Sequence, residues 1–135
     1  MTPIKLKMMV YRSKEELNKL AEKMQAYLET DLGPDPQHLI DRAELLTILI
    51  AKSGQALAEA KFIQDMIIND GLLSAINQGL ETKLSPSLVN KFVSSNAKDV
   101  NFLVNWLDRI NSAATHQLDG IRTKIGRAPR LNSSH

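Results

Sequence analysis

Apolar residues recur with helical spacing along the last third of the chain, from Val100 to Ile125. Steps of three and four residues place side chains on one face of a helix, so the pattern predicts a long amphipathic helix. On a short chain, such a long apolar face is often covered by another molecule. We therefore expect an interface with further copies or with a protein partner, made by Leu103, Leu107, Ile110, Ala114, Leu118 and Ile121.

A second long helix is predicted from residue 36 to residue 69. Asp35 is a favourable N-cap, Pro36 suits the first helical position, and Gly71 is a common type of C-terminal stop. The middle of this helix is rich in small residues around Gly54. A glycine there costs the helix about 1 kcal/mol relative to alanine. Gly54 therefore marks either a kink or a close crossing with another helix, and we favour the crossing.

Shorter elements surround these two helices. Ser13 and Glu16 form a capping-box pattern at the start of an N-terminal helix. A brief helix is predicted over 86–93, and the final helix is predicted to close at Ala128, because proline disfavours helical geometry in the residue before it. Residues 4–10 alternate between apolar and basic side chains, which fits either a short strand or an extended arm.

The predicted fold is therefore all-α, a small helical bundle with two long amphipathic helices that forms a homo-oligomer. The organisation divides into an N-terminal arm over residues 1–12, a helical domain over 13–127 and a flexible basic tail over 128–135. At 135 residues and 43% hydrophobic residues the chain suits one domain with a modest core. Aromatic residues make up only 4%, so the core must be aliphatic.

The absence of cysteine excludes disulfides and thiolate metal sites. No apolar run reaches the ~18 residues that a membrane-spanning helix needs, and the first residues do not form a convincing signal peptide. We therefore expect a cytoplasmic protein, either in a host cell or destined for a virion, with no membrane partner.

Charge is distributed unevenly along the chain. Residues 1–14 and 120–135 each carry four basic and no acidic residues, whereas the middle carries 9 basic and 15 acidic residues. The C-terminal cluster is the best candidate for nucleic-acid binding, through Arg122, Lys124, Arg127 and Arg130. Phosphate contacts dominate non-specific nucleic-acid affinity. The alternative is that these cations only complement the dipole at the helix C-terminus.

Other candidate chemistry is sparse. The three histidines are scattered, and no glycine-rich phosphate loop or nucleophile turn is recognisable. We therefore expect no enzymatic activity, no catalytic residue, no metal and no cofactor. Phe102 and Trp106 are able to stack bases, but their helical spacing beside Leu103 and Leu107 favours a role in the core.

The last helix carries Trp106-Leu107 and then the sequence QLDGIRTKI over residues 117–125, after a long central helix and a short connector. This layout resembles the small recombination mediator proteins of tailed phages, the UvsY type, over residues 36–127. The resemblance implies an all-helical, ring-forming protein that binds single-stranded DNA and loads a recombinase. It also implies that Arg122, Lys124 and Arg127 contact the DNA.

The functional expectation is a non-enzymatic, oligomeric accessory protein of a phage or mobile element that binds single-stranded DNA and a protein partner. The alternative is a phage structural or virion-assembly protein that works through helix–helix subunit contacts. A third reading is an adaptor that buries the small-residue face of the helix over 36–69 against a host protein.

Overall fold

The computed structural model describes residues 12–82 and 86–133, and within them all regular structure is helical. The helices are α1 (Lys14–Leu28), α2 (Pro36–Thr82), α3 (Pro86–Asn96) and α4 (Lys98–Ser133). The predicted all-α class is confirmed. The predicted strand or arm over residues 4–10 and the last two residues of the predicted tail lie outside the described residues.

The N-termini of α1 and α2 are held by the predicted caps. The Glu16 backbone N–H donates to Ser13 Oγ over 3.2 Å, and the Ser13 N–H donates to Glu16 Oε1 over 3.0 Å, so the capping box is confirmed. At α2, the Gln37 N–H donates to Asp35 Oδ1 over 3.0 Å, and Pro36 is the first helical residue. Each cap satisfies a backbone donor that a helix start leaves free, which is worth about 1 kcal/mol.

The predicted end of α2 at residue 69 is wrong, because the helix continues to Thr82. Gly71 does not stop it. This glycine is buried within the helix, and α3 packs against α2. One glycine in a helix costs only about 1 kcal/mol relative to alanine, and tertiary packing routinely outweighs that amount.

Two further predicted helix ends also lie too early. Helix α3 ends at Asn96 rather than at residue 93, and α4 continues through Pro129 to Ser133 rather than closing at Ala128. A proline removes one backbone donor and disfavours helical geometry before it, but neither effect forbids a helix. The flexibility predicted for residues 128–135 stays a prediction.

Helices α2 and α4 pack antiparallel along most of their length, and α1 packs against both. Polar contacts fix this register at three levels. Arg42 contacts Gln117, Ser53 Oγ accepts a 3.0 Å hydrogen bond from Asn111 Nδ2, and Gln64 Nε2 donates to Asn101 Oδ1 over 2.6 Å. The core between the helices is aliphatic, as its composition required, with buried leucine, isoleucine, valine, alanine and methionine side chains.

The six residues predicted to form an interface lie in this core, and their assignment is corrected. Leu103, Leu107 and Ala114 are fully buried, and the others are at most 5% exposed, namely Ile110, Leu118 and Ile121. They pack against α1 and α2 of the same chain. A side chain already covered within its own chain has no surface left for another molecule, so these residues stabilise the bundle itself.

The small residues in the middle of α2 also serve this packing. Ala56 and Ala60 are fully buried in the core cluster, so the predicted adaptor face is covered within the chain. At Gly54, an added Cβ would come no closer than 3.8 Å to Asn111 Nδ2, which is ordinary van der Waals contact. The closest approach of α2 to its neighbours therefore depends on the alanines, and Gly54 itself has room for a methyl group.

Candidate functional site

The C-terminal end of α4 extends beyond the first residue of α2. Because α4 runs antiparallel to α2 and Gln117 is level with Arg42, residue 123 is level with Pro36, the first residue of α2. The remaining ten residues of α4, to Ser133, add about 15 Å of helix at 1.5 Å per residue. Ile125, on the stripe that faces the core elsewhere, is accordingly 36% exposed.

Two of the predicted basic residues, Arg122 and Lys124, have described side chains, and these two lie on different sides of α4. Both are exposed, and residues two apart on a helix point to different sides. Neither side chain forms an ion pair with another residue in the described part of the chain. Arg127 and Arg130 lie on α4, and their side chains are outside the described set.

Lys124 instead shares a side of α4 with a row of exposed and half-buried positions. The row steps along the helix by three or four residues at a time, and we call it the α4 outer face. It consists of Phe102, Trp106, Arg109, Ala113, His116, Gly120 and Lys124. From Phe102 to Lys124 it is about 33 Å long.

Two aromatic residues lie at one end of the α4 outer face. Phe102 is 59% exposed, so its predicted place in the core is wrong. Its ring centroid is 6.0 Å from that of Trp106, which is half-buried and packs at the edge of the core. Trp106 Nε1–H donates to Gln25 Oε1 of α1 over 3.3 Å, and this bond fixes the indole beside the exposed phenyl ring.

A shallow cleft surrounds these aromatic rings. It is lined by Gln25, Phe102, Trp106, Arg109 and Ala113, with a volume of about 410 Å³. Arg109 is exposed and forms no ion pair within the described residues. An accessible aromatic surface and an unpaired guanidinium therefore lie within one cleft, a combination that the sequence analysis did not predict.

At the other end of the α4 outer face, Lys124 and Gly120 border a cleft of about 360 Å³ next to the α1–α2 connection. The cations Arg42 and Lys124 line it together with the acids Glu29 and Asp31. Because these charges balance, the cleft does not by itself select an anion.

Arg42 holds this end of the bundle together and was not predicted from the sequence. Its Nη1 donates to Thr30 Oγ1 over 2.6 Å, and its Nη2 donates to the Leu28 carbonyl over 3.2 Å and to Gln117 Oε1 over 2.8 Å. Its guanidinium carbon lies 4.4 Å from the centroid of the Tyr27 ring. One arginine thus joins the end of α1, the connection and α4.

A second polar anchor joins the start of α1 to the middle of α2. Buried Glu59 accepts hydrogen bonds from the Arg12 backbone N–H, Nε and Nη2 at 3.0, 3.0 and 2.8 Å. The side-chain hydrogen bond from Arg12 is the main cause that holds the pKa of Glu59 below its ordinary value, against the opposing effect of burial. The described hydrogen bonds to the Glu59 carboxylate come from Arg12 and from α2 itself. We therefore assign the Arg12–Glu59 pair a structural role.

This geometry predicts a pH dependence of stability. Because folding lowers the pKa of Glu59, its stabilising contribution is complete above the unfolded-state pKa of about 4.3 and is lost as the pH falls through the folded-state pKa. Urea unfolding at neutral and acidic pH should show a smaller loss of stability on acidification for Glu59→Gln than for the unmodified protein. Equal losses in both proteins would contradict the assignment. Glu16, whose pKa the capping box also lowers, is present in both proteins, and its pKa depends mainly on its hydrogen bonds with Ser13 rather than on Glu59.

Within the described residues, no group of three histidine or acidic side chains is placed to hold a metal ion. No helix in the same part of the chain is both long enough and apolar enough to cross a bilayer. Comparisons with protein-family models, curated proteins and solved structures found no match.

Proposed function

We propose that this chain is a non-enzymatic, self-assembling accessory protein that binds single-stranded DNA along the α4 outer face. One observation supports this above the others: Phe102 is 59% exposed, and it lies against Trp106 and in one cleft with the unpaired Arg109. Single-strand binding proteins combine aromatic rings that stack on bases with cations that follow the backbone. The α4 outer face offers both, with Lys124 further along it.

The aromatic and the basic residues of the face have distinct roles in this proposal. Phe102 and Trp106 stack on bases, a contact worth about 1–3 kcal/mol per base. Arg109 and Lys124 neutralise phosphates, and Arg127 follows Lys124 by three residues on the same helix. Arg122 points to another side and contributes only long-range attraction. The site carries few charges per copy, so several copies on one strand would bind more tightly than one.

The specific form of the proposal is a recombination mediator, acting in the cytoplasm of a phage-infected cell with a recombinase as its protein partner. It is supported by the resemblance of residues 36–127 to the mediators of tailed phages. The projecting end of α4, with the exposed Arg122 and Lys124, supports the DNA-binding part of that resemblance.

The chain contains a single tryptophan, so intrinsic fluorescence reports directly on the proposed site. Titration with a thymidine oligonucleotide should quench Trp106. Phe102→Ala should weaken binding by about tenfold, since one lost stacking contact is worth about 1–3 kcal/mol. Changing both Arg109 and Lys124 to Ala should reduce the slope of log affinity against log salt by about 1.4, or 0.7 for each phosphate contact.

A matched control is available on α2. Lys52 and Lys61 are exposed lysines away from the α4 outer face, and changing both to Ala removes the same charge. This control should leave the salt slope within about 0.3 of the unmodified protein if binding is local to α4. Equal reductions in both double variants would show diffuse electrostatic attraction and contradict the proposed site. Absence of quenching at low salt would reject the function.

A second candidate function, a structural protein of virion assembly, is favoured by apolar surface that α2 exposes beyond the middle of the helix. Met66, Leu73 and Ile76 are about half exposed or more there. A purely structural protein would assemble equally well with and without nucleic acid. Sedimentation velocity with added oligonucleotide therefore distinguishes the two functions, because only the first predicts a complex containing DNA.

A further inference from the structure

The distal part of α2 carries an apolar stripe with heptad spacing, which we call the α2 seam. It consists of Phe62, Met66, Asn69, Leu73 and Ile76, at successive steps of four, three, four and three residues. Met66, Leu73 and Ile76 are 50%, 61% and 47% exposed. The pattern becomes continuous only because α2 runs on to Thr82, past the glycine that the sequence suggested as its end.

From this seam we propose that two copies of the chain pair through their α2 helices, side by side and parallel. The inference rests on the proposed self-assembly and names its surface. Alternating steps of three and four residues fit the knobs-into-holes packing of another helix with the same period. Among the described side chains, large exposed apolar residues on the other helices are isolated: Phe102 and Ile125 on α4. The matching stripe is therefore α2 of a second copy.

The exposed area is sufficient for a weak dimer. Half of a large apolar side chain corresponds to on the order of 100 Å². By that measure the exposed parts of Met66, Leu73 and Ile76 supply about 600 Å² over both copies. The comparably exposed Phe62 and Leu72 bring the total to roughly 1,000 Å², about the lower limit for a specific interface. We therefore expect association that depends on protein concentration rather than an obligate dimer.

Asn69 determines the direction of pairing. In a parallel pair each seam position faces its own equivalent, so the Asn69 amides of the two copies meet and can hydrogen-bond to each other. In an antiparallel pair the same amide would face Leu73 and lose a partner on burial, which costs about 1–3 kcal/mol. In the parallel arrangement the α4 helices of the two copies also run in the same direction. One DNA strand could then contact both α4 outer faces.

Charge gives this association a distinctive salt dependence. Asp65 and Asp70 are exposed positions that flank the seam, and in the parallel register Asp65 of one copy approaches Asp70 of the other. Salt screens this repulsion. Self-association should therefore strengthen with added salt, whereas DNA binding weakens, so the two activities separate in one titration.

Sedimentation equilibrium without nucleic acid tests the pairing. The unmodified protein should approach twice the chain mass at high concentration, more readily at high salt. Changing both Met66 and Leu73 to Asp should leave only the single-chain mass. The matched control, Ile40→Asp with Leu45→Asp, alters two α2 residues that are similarly exposed but outside the seam, and should still associate. Circular dichroism confirms that both variants keep their helices.

Crosslinking tests the direction of pairing. The chain lacks cysteine, so Leu73→Cys introduces a single thiol that faces its equivalent only in the parallel register. Mild oxidation should give a covalent dimer for Leu73→Cys and not for Ile40→Cys. A protein that is monomeric at every concentration, or that associates only after residues 1–11 are removed, would overturn the proposal. An unmodified protein that does not associate, but whose Trp106 fluorescence DNA still quenches, would reject the seam while leaving DNA binding intact.

Discussion

Shortening Leu107 to alanine is expected to lower the free energy of unfolding by about 3 kcal/mol, within the range of about 2–5 kcal/mol for buried leucines. Leu107 is fully buried in the cluster that joins α1, α2 and α4. The change removes apolar contacts and leaves a cavity that three packed helices fill only in part. Urea unfolding followed by circular dichroism measures the loss. In thermal unfolding the midpoint should fall by about 10 °C.

The matched control for Leu107 is Leu45→Ala on α2. Leu45 is 48% exposed, so the same truncation should cost less than about 1 kcal/mol. The contrast between Leu107→Ala and Leu45→Ala also tests whether the apolar face of α4 packs within the chain rather than against another molecule. If Leu107 served an intermolecular interface, the alanine variant would dissociate an assembly and leave the stability of the single chain unchanged. A cost of several kcal/mol for a chain that sediments as a monomer places Leu107 in the intramolecular core.

The stripe from Leu103 to Ile121 shows how far sequence pattern alone reaches. Its spacing predicted the helix and the buried face correctly, because an apolar stripe must be covered. The pattern does not tell whether the apolar stripe is covered by other helices of the same chain or by another molecule. Helix α4 is covered by α1 and α2 of its own chain, and this follows from connection lengths and packing rather than from the composition of the stripe.

The starts of helices were predicted correctly where a side chain caps the backbone. The end of a helix was predicted wrongly where it was inferred from a glycine. Ser13 and Asp35 each accept a backbone hydrogen bond, a local chemical event that sequence specifies directly. Gly71 carries only a propensity cost, which packing outweighed. The heptad stripe of the α2 seam crosses Gly71, so ending the helix there concealed an exposed apolar stripe.

The polar side chains that fix the bundle gave no sequence signal. Arg42 and Glu59 look like ordinary solvent-facing charges on a helix, and only the folded chain brings Gln117 and Arg12 to them. The exposure of Phe102 was hidden for the same reason. A phenylalanine beside a core stripe is buried only where another helix covers it. Helix α1 contacts Trp106 through Gln25, whereas Phe102 stays 59% exposed.

The second large effect is expected at Arg42, where methionine would lower the free energy of unfolding by about 2 kcal/mol. Methionine keeps much of the volume and removes three hydrogen bonds, each worth about 1.5–3 kcal/mol for a charged donor. Relief from burying the guanidinium of Arg42 offsets part of this loss, since the residue is only 7% exposed and its Nε has no hydrogen-bond partner among the described residues. The Leu28 carbonyl also keeps its 3.0 Å bond from Gln117 Nε2.

Hydrogen exchange would localise this effect at the end of α1 and the connection that follows, because Arg42 fastens both to α4. Lys52→Met removes an exposed cation of α2 and should alter the free energy of unfolding by less than about 0.5 kcal/mol.

The variant Arg42→Lys distinguishes the contribution of the positive charge from that of the planar guanidinium shape. An ammonium group keeps the charge but lacks the planar fork that reaches Thr30 and Gln117 together, so lysine should recover less than half of the loss. Full recovery by lysine would instead assign the stabilisation to positive charge over the Tyr27 ring.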